Sequence, residues 1–206
     1  MSITETLIRL WEIDQSDDSQ IQVPDIIVAI TYGSKREKLA EATRLALVGA
    51  SLLGQLYPFA KIAYGCPSNC YPNSEVGERK LKEYLLIVKQ GINPVRVLSG
   101  EVCSNSITEA TAVKHTAKTH KCPANSLLVI CTRVHARSIR HIWKKTFPEA
   151  TIILSILSGD PDVEVDHQIL LQRGRLRWLL ANIARHCAMR VFGLEFVKRI
   201  QHPNAG

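Results

Sequence analysis

Five short apolar runs alternate with stretches of helical periodicity, and this alternation constrains the fold more than any other feature of the chain. Ile26 to Ile30, Lys61 to Tyr64, Val95 to Leu98, Leu127 to Cys131 and Thr151 to Leu157 are compact, rich in β-branched residues and too short for helices. Runs without polar alternation belong to parallel strands covered on both faces. Between them lie Glu37 to Leu56, Ser74 to Lys89, Ile107 to Thr119 and the segment ending at Thr146, where apolar residues recur at helical spacing. The pattern predicts a Rossmann-like, doubly wound α/β domain, with a mostly parallel sheet of about five strands and helices on both faces.

The flanks read as helical additions. Ser2 to Ile13 is amphipathic, with Leu7, Leu10 and Trp11 on one side, and Asp14 to Gln22 is a polar linker. A further helix is expected from Ser74 to Lys89, with Leu81, Tyr84, Leu85 and Val88 inward and Gly91 as its stop. Val165 to Ile200 is expected to be helical, broken at Gly174 and Gly193, and to pack through Leu176, Leu180, Ile183, Cys187 and Val191. The organisation is then a helix and linker over 1–22, the α/β domain over 23–160, and a helical extension over 161–206 packed on the same domain.

Charge points to one zone. From Ala110 to Pro148 the chain has eight Lys and Arg residues and four histidines but no Asp or Glu. Within it, the Leu127 to Cys131 strand leads into Arg133, His135 and Arg137 at a helix start, where the dipole is already positive. Open α/β sheets bind ligands at the carboxyl ends of their strands, so these cations suit an anionic ligand. The loops expected to converge there are Tyr32-Gly33-Ser34, Glu101 through Glu109, and Thr132 through Arg137. The second offers Glu101, Ser104, Asn105, Ser106 and Glu109 around a helix N-terminus. Glu109 could instead pair with Arg133 or Arg137. Neighbouring arginines would keep His135 neutral and able to accept a proton, and Arg133 and Arg137 suit bidentate contacts to phosphate or carboxylate.

Other chemistries find less to work with. No Gly-rich dinucleotide fingerprint follows Ile30 and no Walker motif occurs, which argues against hydride transfer and P-loop hydrolysis. Cys66 and Cys70 lack a second pair or a nearby histidine at zinc spacing, so no metal site is expected, and the six cysteines read as reduced thiols. Arg173, Arg175, Arg177 and Trp178 could contact nucleic acid but fit better as a solvated helix face with one buried Trp. The longest charge-free run, Leu45 to Ala60, falls short of a membrane span, and the first residues, with Glu5 and Glu12, lack a signal's basic start. A cytoplasmic protein without an integral membrane segment is expected.

Several of these elements, in order, resemble the YdcF-like family, with SanA and ElyC among its relatives. They are the opening strand ending in glycine (Asp25 to Gly33), the helix start Ser74-Glu75, Glu101, Ser104, the block Asn105-Ser106-Ile107-Thr108-Glu109-Ala110, and the strand end Thr132-Arg133-Val134-His135-Ala136-Arg137. The likeness spans about Asp25 to Leu157. Glu109 stands where asparagine is usual, Ser106 where threonine is, and Gly65-Cys66-Pro67 where the family commonly has S-G-G. The resemblance implies a Rossmann-like fold and a small anionic or nucleotide-like ligand. S-adenosylmethionine is one candidate, since one member is associated with it, and envelope members are tied to peptidoglycan or polysaccharide processes. The expected site is Gly33, Ser34, Glu75, Glu101, Ser104, Asn105, Ser106, Glu109, Thr132, Arg133, His135 and Arg137, with His135 and Glu101 as the groups for any catalysis. A metal-independent phosphoester hydrolase and a basic nucleic-acid-binding protein are the alternatives.

Overall fold

The computed structural model describes residues 3–13, 23–35, 38–67, 75–157 and 174–201. Helix α1 (Ile3–Trp11) precedes β1 (Ile26–Ala29), a small hairpin of β2 (Ser34–Lys35) and β3 (Lys38–Leu39), and α2 (Glu41–Leu56). Then follow β4 (Lys61–Pro67), α3 (Glu75–Glu83) with a π-helical continuation (Tyr84–Lys89), a 3₁₀ turn (Pro94–Arg96) and β5 (Val97–Cys103). The remainder is α4 (Ser106–Thr119), β6 (Ser126–Thr132), α5 (Ala136–Thr146), β7 (Thr151–Leu157), α6 (Arg175–Phe192) and α7 (Leu194–Gln201).

The sheet has five strands in the order β5-β4-β1-β6-β7, and every pairing is parallel. This is the Rossmann-like α/β arrangement that the alternating pattern predicts. Both faces of β1 are buried: Ile26, Val28 and Ile30 pack with α4, α5 and α6, whereas Ile27 and Ala29 pack with α2 and Leu86. Full burial on both sides is why these runs show no polar alternation. The chain order reverses between β1 and β6, so the switch point lies at their carboxyl ends, between Thr31–Gly33 and Thr132–His135.

Several boundaries and faces differ from expectation. The third strand begins at Val97 because Asn93 caps a turn with Pro94 at its start, and it runs on through Gly100 and Glu101 to Cys103. A Cβ at Gly100 would stand 2.8 Å from the Tyr64 carbonyl oxygen, so the two strands approach there as only glycine allows. In α3 the buried residues are Glu78 and Lys82, followed by Leu86, while Tyr84 and Val88 face solvent. The π turn at Tyr84–Lys89 shifts the register that a 3.6-residue period would impose. In α1, Ile8 is inside and Leu7 and Leu10 are outside. In α6 the inner face is Trp178, Leu179, Asn182 and Met189; of the expected stripe only Ile183 touches the core, while Leu176, Leu180, Cys187 and Val191 are exposed. Helix α6 carries two faces at helical spacing, and spacing alone does not rank them.

Among the described residues no helix is long and apolar enough to cross a membrane. The described cysteines, Cys66, Cys103, Cys122, Cys131 and Cys187, are free. Cys70, the linker from Asp14 to Gln22, and Arg173 lie outside the described residues.

Candidate functional site

At the switch point, Tyr32 spans the two central strands. Its hydroxyl accepts a hydrogen bond from the Thr132 amide at 2.8 Å, and its ring lies 5.8 Å from that of His135. On its other side His135 meets Trp178 of α6, ring to ring at 5.5 Å, so the imidazole is 2% exposed. Nε2 of His135 stands 3.2 Å from the Ser106 hydroxyl at the start of α4, and Nδ1 has no partner. Burial, with a smaller contribution from the Arg185 cation, pushes the imidazole down to about 3. The neutral histidine expected from flanking arginines is therefore neutral chiefly because it is dry.

The N-termini of the two helices that border this point differ. At α4, Asn105 Oδ1 accepts from the amides of Ile107 and Thr108, while the Thr108 hydroxyl accepts from the amides of Ser104 and Asn105. This capping box satisfies the first turn from within, and it orients the Asn105 Nδ2 group away from the helix, where it is buried without a partner. At α5 there is no side-chain cap. Ser138, in the first turn, is fully buried and its hydroxyl makes no hydrogen bond. A helical serine ordinarily donates to the carbonyl four residues back, but that carbonyl, Val134, receives the Trp11 indole at 2.9 Å.

Arg133 and Arg137 are held internally, a correction to the expected anion contacts. Arg137 donates through Nε to the Trp11 carbonyl and through Nη2 to the Glu12 carbonyl, both at 3.0 Å, and lies 4.9 Å over the Trp11 ring. Carbonyls at a helix end are natural acceptors for a guanidinium. Arg133 pairs with Glu12 at 2.8 Å and with Glu5, which also holds Arg175 at 2.7 Å. Arg175 and Arg133 hold the Glu5 carboxyl below its usual range. The carboxylates that meet Arg133 thus come from more than a hundred residues upstream, Glu5 in α1 and Glu12 just after it, and α1 lies over the start of α5.

Glu101 and Glu109 also land elsewhere than expected. Because β5 continues past it, Glu101 projects outward and pairs with His115 at 2.8 Å, both side chains being over 60% exposed. Glu109 is buried and turns away from the arginines: it accepts from the Thr31 hydroxyl at 2.8 Å and the Thr31 amide at 3.1 Å, and from the Gly65 amide. Desolvation pushes its carboxyl up to about 7, against the opposing pull of those hydrogen bonds and of Lys82. Lys82 is itself buried, 2.6 Å from Glu78 and 2.8 Å from the Gly65 carbonyl. A Cβ at Gly65 would stand 2.7 Å from Cys103 Sγ and from Glu109, so the glycine makes room for this cluster.

The structure therefore gathers Ser106, Thr132 and His135 at the switch point, with Gly33 close behind. Gly33 has a φ of 85°, and its carbonyl accepts from Thr43. Ser104 and Asn105 stand at the neighbouring helix start, Glu109 lies on the β1–β4 side, and Glu101 is outside. The side chains of Ser34 and Glu75 lie outside the described residues. Glu78, Lys82 and Ser138 escaped the sequence reading, whereas Trp178, expected as the one buried Trp of a solvated helix face, is 3% exposed and lies against His135; Glu78-x-x-x-Lys82 looks like an ordinary exposed helix pair until the fold buries it. Among the described residues no group of three or more His, Cys, Asp or Glu side chains is placed to hold a metal ion. No family model, curated protein or solved structure matches the chain.

Proposed function

We propose that the chain is a small-molecule-binding α/β protein of the YdcF-like type, acting in the cytoplasm, whose ligand carries an anionic, nucleotide-like or phosphorylated group. S-adenosylmethionine is the member of that class the family resemblance suggests; if the ligand is turned over, envelope-precursor metabolism is the setting it suggests. The observation that carries the reading is the start of α5. An uncapped helix N-terminus at the switch point of a parallel sheet, beside two buried polar atoms without partners, His135 Nδ1 and Ser138 Oγ, is suited to an anion. Arg133 and Arg137 border it, and the Glu12 carboxylate now meets Arg133. Binding would exchange that internal carboxylate for the ligand's anion as α1 shifts.

The phosphoester hydrolase alternative draws less support, since an imidazole near 3 is a feeble general base at neutral pH. A nucleic-acid role is weakened by the engagement of Arg133, Arg137 and Arg175 within the fold. A thermal-shift series with ATP, S-adenosylmethionine, a sugar nucleotide and inorganic phosphate tests the proposal. At about 100 times its dissociation constant a true ligand raises Tm by roughly 5–10 °C. Ser138→Ala should diminish that shift and Glu12→Gln should enlarge it. No shift with any of the four overturns the reading.

A further inference from the structure

The inner face of α6 keeps polar atoms that the fold does not use. Trp178, which covers His135, is followed one turn on by Asn182 and two turns on by Arg185, so the three share one row of the helix. Asn182 is fully buried; its Nδ2 group donates to the Trp178 carbonyl at 2.9 Å, and its Oδ1 has no partner. Trp178 Nε1 is likewise buried without a partner. Arg185 is half-buried and, among the described residues, makes no hydrogen bond or ion pair. Enclosure pushes its guanidinium below the ordinary arginine range, with no carboxylate opposing it. Helical side chains lean towards the N-terminus of their helix, which carries this cation back along the row towards His135. Among the described residues it is the one charge that acts on that imidazole.

An enclosed cation without a counter-anion costs stability, and folds do not ordinarily retain one that no function uses. Arg133 and Arg137, by contrast, are already engaged by Glu12 and by the carbonyls of Trp11 and Glu12. Arg185 and the start of α5 flank His135, where His135 Nδ1 and Ser138 Oγ are also without partners. A guanidinium and a helix N-terminus call for a phosphate, whereas Asn182 Oδ1, an acceptor, calls for a donor such as a hydroxyl. A sulfonium cation would add positive charge to a point already bordered by Arg133, Arg137 and Arg185. We propose that the inner row of α6 is the second wall of the anion site, with Arg185 taking the phosphate of a phosphorylated polyol and Asn182 accepting from a hydroxyl beside it. The assignment rests on the anion reading of the α5 start and narrows its ligand class away from S-adenosylmethionine. Access follows from the same movement: α1 is tied to α6 by Glu5–Arg175 and by Trp11 against His186, so a shift of α1 loosens both walls together.

Isothermal titration calorimetry of the full chain with glycerol phosphate, methyl phosphate and S-adenosylmethionine tests the proposal. Glycerol phosphate should bind more tightly than methyl phosphate, and both more tightly than S-adenosylmethionine. Arg185→Met should weaken both phosphoesters at least about tenfold while raising the Tm of the free protein by about 3 °C, because it removes an enclosed charge. An arginine with a purely structural role would lower that Tm instead. Asn182→Leu should weaken glycerol phosphate about fivefold and leave methyl phosphate unchanged. Phosphoester binding that survives Arg185→Met overturns the proposal and leaves the α5 site standing, as does S-adenosylmethionine binding more tightly than glycerol phosphate. Failure of all three compounds to bind the wild-type chain overturns both.

Discussion

His135 and Glu109 stand at the same edge of the sheet and are equally buried, each 2% exposed, yet their surroundings treat them differently. His135 is enclosed by the rings of Tyr32 and Trp178 and keeps one nitrogen without a partner. Glu109 is met by two amides and a hydroxyl, with the Lys82–Glu78 pair nearby. Desolvation drives both towards neutrality. The β4 side uses its polar contacts within the fold, whereas the β6 side, at the switch point, leaves polar atoms over. The first pattern is that of a self-contained structural cluster, and the second is the one on which the proposed binding site rests.

The largest effect should come from breaking the self-contained side. Lys82→Met leaves Glu78 buried without its ammonium and should cost about 3–5 kcal/mol of unfolding free energy, read from urea denaturation. A loss below 1 kcal/mol would mean that the pair is solvated in solution and that the contrast between the two sides is overdrawn.

A smaller effect sharpens the comparison through pH. Between pH 4.5 and about 7 folded Glu109 keeps a proton that the unfolded chain has released, so its contribution to stability falls as pH rises through that window. His135 has the opposite sign: below pH 6.5 the unfolded chain takes up a proton that the folded imidazole refuses down to about 3, so stability falls as pH drops. Between pH 4.5 and 6.5 the two contributions oppose each other. Glu109→Gln should expose the histidine's slope, and His135→Asn the glutamate's, each worth roughly 3 kcal/mol across that interval. Identical pH profiles in wild type and both variants would contradict these burials.

The fold was legible because its signal is redundant: five runs such as Ile26 to Ile30 and Leu127 to Cys131 repeat one pattern, and an error at one boundary leaves the others intact. The helix faces were less so. In α6 both Leu176-Leu180 and Trp178-Asn182 follow helical spacing, and only packing against the sheet determines which is inside. The site was legible in part. The convergence of Ser106, Thr132 and His135 follows from parallel topology, since residues at strand ends share an edge. The partners of Arg133 and Arg137 do not, because Glu5 and Glu12 lie across an intervening linker and no local rule ties them to β6. Glu101 illustrates a further obstacle: moving a strand end by a few residues carried its carboxylate from the proposed site to the surface.

The most direct test of the central claim, that the start of α5 is an anion site, follows the backbone amides of Ala136, Arg137 and Ser138 by NMR during titration with inorganic phosphate and then ATP, in wild type and in Glu12→Gln. The account predicts saturable shifts centred on these three amides, reached at lower ligand concentration in the variant. Shifts confined to the exposed lysines Lys144 and Lys145, with the first turn of α5 unmoved at saturation, would contradict it.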